Sequence, residues 1–485
     1  MYMENTIYIE FSPVKCRITS DISSEITNLL YDTLAYRSSG YFFSPKFQSG
    51  VWDGYNHLFS KKTLSFRAGL LYRVRSILLN EGFEVAILNA PPPTVYTKRS
   101  NTYDLRPYQI TAVQRILQYR FGIIQSPPRS GKTHMALAAI DSERKFPTVI
   151  LCRSLDLAYQ TVARAEKFIP EIKVGFVGDG VSTLGDLNVV TVQSAYAAFN
   201  LKYKTDKGEQ KERPLTDAKE SVRALFDAAR QVYYDEAHES SGRTSRIILD
   251  KCINADLKIG LSATPFEEED EESLRVEEFV GPVIHKISYS ELIKEGFLLA
   301  PIIYLYKLPK QKVDGNYQSV YKQAVTDNEF LSGLVKKIVD KLIGLGHSVV
   351  IQTEFREQSK KLAKELGYPF LIGNEPAEKR QVLIKQLDSK EIPCLVSTLI
   401  EQGIDIPSLN FTINLVGGAK MIPTIQRIRS MTADGGKRVC GVIDFEFQCK
   451  YLKKHSNRRK IFYQSEPEFK LVYRDVSKKS LEEIV

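Results

Sequence analysis

The sequence predicts an α/β fold in which two tandem parallel-sheet domains follow a small α+β module, and three observations carry that expectation. An apolar run, Phe121–Ile124, leads through a loop into Gly131-Lys132-Thr133 and then a helical pattern over His134–Ile140, which is the strand–loop–helix order of a βα unit. From Tyr103 to about Tyr289 short apolar runs alternate with stretches of helical spacing, and the alternation resumes from about Ala300. Such alternation predicts a parallel sheet covered on both faces. Residues 1–97 instead mix short strand and helix patterns with a loop-rich aromatic stretch, and the triple proline Pro91-Pro92-Pro93 stands near their end.

In residues 1–97, Thr6–Phe11 alternates as a strand does, and Ser20–Tyr36 has apolar residues at helical spacing. The stretch YFFSPKFQSGVWDGYNHLFS follows, with Asp53-Gly54 as its turn signal. Leu64–Phe66 reads as a short strand, Leu70–Asn80 as a helix and Phe83–Leu88 as a strand; the prolines with Thr97–Thr102 read as a linker. Lys46, Lys61, Lys62, Arg67, Arg73 and Arg75 interleave with Phe47, Trp52, Tyr55 and Phe59. The mixture has two readings. Cations on phosphates and rings on bases make a nucleic-acid surface, whereas rings in a core with cations on a solvated rim make an ordinary small domain.

The first α/β domain is expected over 98–295. Its strand candidates after the phosphate loop are Thr148–Cys152, Val189–Val192, Val232–Tyr234 and Lys258–Leu261. Lys202–Glu220 is polar and reads as a mobile insertion, and the acidic run Glu267–Glu278 reads as a solvated face. Over 296–449 the candidates are Ser348–Gln352, Pro393–Ser397, Phe411–Leu415 and Val439–Ile443. No second GKT occurs in that half, so the second domain is expected to complete the site of the first. Residues 450–485 read as a basic tail, with Lys450, Lys453, Lys454, Arg458, Arg459 and Lys460 close together.

At 485 residues the chain exceeds a single core. Its 43% hydrophobic and 26% charged content is that of a soluble globular protein, and the net charge of +9 permits an anionic partner without demanding one. The six scattered cysteines include no CxxC pair, which predicts reduced structural thiols rather than disulfides or a zinc site. The start MYMENTIYIEF carries no signal-peptide pattern and no apolar run is long enough to span a bilayer. The expectation is a cytoplasmic protein, in a host cytoplasm if viral, with no membrane partner; a monomer is expected and an oligomer left open.

Two constellations carry chemistry. In the loop ending Ser130-Gly131-Lys132-Thr133, backbone N–H groups at a helix start can converge on phosphate oxygens. Lys132 would add a charge at the β/γ-phosphates, and the Thr133 hydroxyl would ligate Mg²⁺. The loop departs from GxxxxGK[ST] at its first glycine, which is Ser126. The alternative is an ordinary strand-to-helix turn with a chance GKT. The second constellation, Val232-Tyr233-Tyr234-Asp235-Glu236-Ala237-His238, puts two carboxylates at the end of a buried strand. There Asp235 can hold Mg²⁺ and Glu236 can orient and polarise water. Gly260-Leu261-Ser262-Ala263-Thr264-Pro265 follows in the same domain.

Together these motifs resemble the motor of superfamily 2 DExH helicases, through most of the chain. The resemblance implies two RecA-like domains, ATP and Mg²⁺ as cofactors, and a nucleic-acid track. Arg106 and Gln109, in Leu105-Arg106-Pro107-Tyr108-Gln109, are similar to the adenine-reading segment. Arg153 with Ser154, and Thr191 with Gln193, resemble strand-contacting motifs, and His238, Ser262 and Thr264 a segment coupling nucleotide to track. Thr398 with Gly403, Asp405 and Pro407 resembles the fifth motif; Gln426-Arg427-Ile428-Arg429 resembles the sixth, which supplies an arginine finger. The sequence departs from the usual QRxGR: either the glycine is missing and Arg429 is the finger, the favoured reading, or Arg429 fills the glycine position and Arg427 serves. Trp52-Asp53-Gly54, Leu58-Phe59, Ala68-Gly69-Leu70-Leu71 and His455-Ser456-Asn457-Arg458 with Tyr463 are similar to UvsW-type bacteriophage branch-migration helicases.

That resemblance implies an ATP-driven DNA motor that remodels Holliday junctions, stalled forks and other branched DNA, contacting both single and double strands. Lys61, Lys62, Arg67, Arg73 and Arg75 would be phosphate contacts of the front module. A remodeller of RNA or RNA–DNA hybrids is the alternative, because such motors touch mostly phosphates. A non-enzymatic clamp with a decayed motor is the third reading, motivated by Ser126, Arg129 and the irregular sixth motif.

Overall fold

The computed structural model describes residues 5–37, 40–200, 202–204, 210–212, 214–263, 271–373, 375, 377–398, 406–418 and 438–483. They form two compact units: Met1–Ser126 with Gly131–Ile287, and Ser288–Val485 with the loop Pro127–Ser130. The first unit contains two large sheets and, among the described residues, two further two-stranded pairings. In the front module, five strands run in the order Phe59–Ser60, Ser65–Arg67, Lys15–Ile18, Thr6–Glu10, Glu84–Leu88. Thr6–Glu10 pairs antiparallel with Lys15–Ile18 and parallel with Glu84–Leu88. The helices Ser24–Thr33 and Leu71–Asn80 bury Ile26, Leu30, Val74 and Leu78 against Ile7, Ile9, Cys16 and Phe66. Ser23 caps the first of them, its Oγ accepting the Ile26 N–H at 3.3 Å.

The expected boundary at residue 97 is not a unit boundary. The module's apolar core runs on into Phe121 and Leu274 of the motor domain, with Phe11 and Phe121 edge to face at 5.4 Å. The linker is pinned as well: the Thr97 N–H donates to Ser142 Oγ at 2.8 Å and the Ser100 N–H to the buried Asp141 carboxylate at 2.9 Å. Charged pairs tie the same interface. Arg67 binds Asp250 through two nitrogens and reaches Glu278 at 3.1 Å. Arg73 meets Glu277 with both contacts under 2.9 Å, and the buried Lys258 ammonium donates to Pro13 O at 2.8 Å. A Cβ on Gly69 would stand 1.9 Å from Glu277 O, so only glycine lets the chains approach this closely.

Two sequence expectations change here. Arg67 and Arg73, expected as phosphate contacts, are ion-paired within the unit. The end of the acidic run is not a solvated face either: Glu277 and Glu278, on helix Glu271–Val280, are buried, Glu277 beside Arg73 and Glu278 beside Arg67 and Arg246.

The second sheet of this unit has eight strands, in the order Val181–Thr183, Val174–Gly178, Leu187–Thr191, Thr148–Cys152, Gln231–Asp235, Leu257–Ser262, Phe121–Gln125, Val283–Lys286. All neighbours are parallel except the first two. The segment expected as a mobile insertion holds a short pairing of Lys202–Lys204 with Gln210–Glu212, and its end enters helix Asp217–Ala228. That helix is regular because Val222, Leu225 and Phe226 recur at helical spacing and are buried.

The second unit carries seven parallel strands in the order Phe370–Leu371, Cys394–Ser397, Val349–Gln352, Phe411–Asn414, Gly441–Gln448, Ile302–Lys310, Lys470–Asp475. The expected basic tail is part of this fold. Leu452–Ser465 is a helix that buries Leu452, Ser456, Arg459 and Tyr463, and Lys470–Asp475 is an edge strand. Charge on an edge strand is a common guard against pairing with other chains. All six cysteines are unpaired and buried, and burial pushes the Cys394 thiol up to about 12. No helix among the described residues is long and apolar enough to cross a membrane.

Candidate active site

The helix Lys132–Glu143 begins directly behind the phosphate loop, with Gly131 as its N-cap at φ +83°. A Cβ there would lie 2.3 Å from Gln109 Nε2, so the position needs glycine for its backbone and for space. Gln109 is buried on helix Pro107–Tyr119, and its Oε1 accepts the Arg106 N–H at 3.0 Å. The same amide thereby caps a helix and turns its nitrogen toward the loop. Ser130 is buried, and its N–H donates to Pro127 O at 3.2 Å. Lys132 Nζ donates to Ser126 O at 3.2 Å, while Thr133 is half-buried in the first turn.

Adjacent strands bring the rest to one edge. Asp235 is in register with Leu261, and Ser262 with Gln125. The carboxylate pair, Ser262 and the root of the Gly131-Lys132-Thr133 loop therefore share the carboxyl ends of three neighbouring parallel strands, where open α/β sheets bind ligands. Asp235 is buried, and burial together with the adjacent Glu236 charge raises its pKa to about 6, against the pull of Lys132. Such a carboxylate is short of a counter-charge, and a divalent cation would supply one. The Glu236 N–H donates to Asp235 Oδ1 at 3.0 Å.

Glu236 stands at φ +58° and Arg129 at +70°. A non-glycine residue held there costs roughly 1–2 kcal/mol, a strain that tends to collect at functional sites. Glu236 Oε2 is buried without a hydrogen-bond partner among the described residues. It lies 3.5 Å from His238 Nδ1, which is 3.3 Å from Ser262 Oγ. One imidazole nitrogen thus stands between the Glu236 carboxylate and the Ser262 hydroxyl.

Of the expected track residues, Arg153 and Gln193 are exposed beyond neighbouring strands, and Thr191 is in register with Cys152. Thr191 is buried, and its hydroxyl is engaged: it accepts the Ser194 N–H at 3.3 Å and caps helix Val192–Phe199. Thr398 is half-buried after strand Cys394–Ser397. In the front module Lys61, Lys62 and Arg75 are exposed, with Lys61 Nζ on Asn28 Oδ1 at 2.6 Å. Thr264, Gly403, Asp405, Gln426, Arg427 and Arg429 lie outside the described residues. Sequence reasoning passed over Arg164, on helix Leu155–Phe168. Its charge acts on both Asp235 and His134, and His134 is lowered chiefly by burial. No motif marks Arg164.

A second polar cluster lies in the second unit, around Val416-Gly417-Gly418, directly before residues 419–437. The Gly417 N–H donates to Glu354 Oε2 at 2.9 Å, and His455 Nδ1 is 2.7 Å from Gly417 O. Arg459 binds Asp444 through two 2.8 Å contacts and donates to Gly418 O at 2.9 Å; the Tyr463 hydroxyl donates to Asp444 at 2.8 Å. The inward face of this helix carries Ser456, Arg459 and Tyr463, while Asn457 and Arg458 of the C-terminal motif are exposed.

Residues 102–267 match the family described as type III restriction enzyme, res subunit, and residues 334–429 match the helicase conserved C-terminal domain. A putative helicase of a Sulfolobus islandicus filamentous virus is 25% identical over 76% of this chain and 69% of its own. A DNA 3'-5' translocase XPB2 of Sulfurisphaera tokodaii is 23% identical over 73% of this chain and 84% of its own. Among solved structures, a fragment of a putative HsdR subunit of a type I restriction enzyme from Vibrio vulnificus aligns with a TM-score of 0.56 at 16% identity, over 79% of this chain and 70% of that one. T4 UvsW aligns over 97% of this chain and 99% of that one, with a TM-score of 0.46 at 18% identity. The two family matches together cover more than half of the sequence, and the chain belongs to the superfamily 2 helicases, as an ATP-dependent enzyme built on two RecA-like α/β domains.

Proposed function

We propose that this helicase is a DNA motor that remodels branched DNA, moving along one strand while its front module grips a duplex arm. The observation that carries the reading is the anchoring of the module. Lys258 sits on the strand that ends in Ser262, and its ammonium is held by Pro13 of the module. Glu277 and Glu278, bound by Arg73 and Arg67, lie on the next described helix of the motor. A grip fixed in this way transmits force to a duplex arm, and it raises the effective concentration of that arm without reading its sequence.

The proposed residue roles rest on the sequence motifs. Arg106 and Gln109 would face the base, Ser130 and Gly131 the phosphates, Lys132 the β/γ-phosphates, and Thr133 with Asp235 a Mg²⁺ ion. Glu236 orients the attacking water and His238 passes its state to Ser262. Mg²⁺–ATP supplies the phosphoryl group whose transfer drives the motor. Arg429, with Arg427 and Gln426 as its neighbours, is proposed as the finger, and Gly403 and Asp405 as nucleotide contacts. Arg153, Gln193 and Thr398 are proposed track contacts, and Lys61, Lys62 and Arg75 phosphate contacts of the module.

The test compares ATP-driven movement on a four-way DNA junction, a DNA fork and an RNA–DNA hybrid of equal length. Faster turnover and strand exchange on the junction and fork support the proposal. Movement confined to the hybrid overturns it in favour of RNA remodelling.

A further inference from the structure

The front module exposes rings that neither its core nor its anchor uses. Tyr41–Phe43 form a single helical turn, with Gly40 at φ +75° before it and helix Pro45–Gln48 behind it. The turn is firmly built. Tyr41 packs edge to face on Phe47 at 4.8 Å, and a Cβ on Gly54 would meet the Tyr41 ring at 2.8 Å. The Arg37 guanidinium lies 4.8 Å from the Tyr41 ring and 4.4 Å from Tyr55. Gln48 Nε2 holds Phe42 O at 3.1 Å, and Trp52 Nε1 holds Tyr55 O at 2.6 Å. On this support Phe42 is 52% exposed and Phe43 75%, with their ring centres 4.3 Å apart.

An ordinary fold buries such rings, and an apolar patch left out by a well-supported turn marks a binding site. Its surroundings indicate the occupant. Lys46, on the helix directly after the turn, is an exposed cation, and Lys61 and Lys62 are exposed elsewhere in the same module. Rings among cations suit a ligand with flat faces and a charged backbone, which an apolar protein surface lacks.

We infer that Phe42 and Phe43 form a stacking tip for unpaired nucleic-acid bases, such as those at the mouth of a fork. The inference rests on reading the chain as a nucleic-acid motor, and adds a grip on bases to the module's grip on phosphates. Stacking is blind to sequence because every base has a π-face, so the tip would recognise unpairing itself.

The test is fluorescence of a 2-aminopurine placed at the first unpaired base of a DNA fork, titrated with the full chain without nucleotide. Phe42→Ala with Phe43→Ala should weaken fork binding about ten-fold or more and abolish the fluorescence change, while the salt dependence of the remaining binding stays as it was. Phe42→Tyr with Phe43→Tyr keeps the rings and should restore binding. Leu345→Ala, at a 64% exposed site in the other unit, should leave it unaffected. Fork affinity within two-fold of wild type in the alanine pair overturns the inference. So does self-association of the wild type that the alanine pair abolishes, since the tip would then cover a second copy. If the intact protein moves no junction yet binds the fork through these rings, the proposed function fails and the tip stands.

Discussion

Replacing Arg459 with alanine should destabilise the second unit severely, and the magnitude follows from the cluster it serves. Arg459 and Asp444 are 2% and 1% exposed, and two 2.8 Å bonds join them. Without the guanidinium, the Asp444 carboxylate keeps the Tyr463 hydroxyl and the Phe445 N–H but has no buried counter-charge, and Gly418 O loses a donor. Breaking a buried pair from one side costs about 3–5 kcal/mol. For a unit of this size that corresponds to a fall in melting temperature of roughly 6–20 °C. Removing both charges, as Arg459→Met with Asp444→Leu, should cost much less, because no lone ion remains inside. Urea unfolding of the full chain, followed by probes in the second unit, measures both variants. An Arg459→Ala loss no larger than that of the double variant would refute the reasoning, since Asp444 would then be solvated without its partner.

Lys132→Ala should weaken nucleotide binding as well as turnover, whereas Glu236→Gln should bind nucleotide and turn it over slowly. Single-turnover hydrolysis beside a binding titration separates them, and normal turnover in Glu236→Gln sinks the assignment. Arg429→Ala should lower stimulated ATPase about a thousand-fold with DNA affinity nearly kept; the same result for Arg427→Ala alone moves the finger there. Burial raises Glu278 to about 7 against the pull of Arg246 and Arg67. The folded state therefore binds the extra proton, and this group's contribution is complete below the ordinary carboxylate range and lost as pH rises to about 7. Glu278→Gln should be near neutral at pH 5 and should flatten the decline of stability toward pH 8, which thermal melts across pH would detect.

The motor was more legible in sequence than the module. Thr148–Cys152 is a strand over the very residues its apolar run suggests, because a strand buried on both faces is apolar throughout. Val174–Gly178 went unmarked, since two glycines in five residues dilute any strand pattern. Ile302–Lys310 also went unmarked; it carries Pro309, which sits where its register with Gly441–Gln448 shifts. Asp235 and Ser262 stand at neighbouring strand ends, because parallel register fixes which ends are neighbours, and His238 lies 3.3 Å from Ser262. Arg67 and Arg73 could not be read, for their partners lie about two hundred residues away and charge alone does not say what it pairs with.

The shared core of module and motor makes them one body to the solvent. Phe121 and Leu274 are covered from the module's side, and Lys258, Glu277 and Glu278 each pair with a group of the module. A truncation at residue 97 would open apolar and charged interior together, so it removes part of a folding unit rather than an appendage. The amides of Thr6–Glu10 and of Leu257–Ser262 belong to one cooperative block and would become exchangeable with solvent through the same opening event.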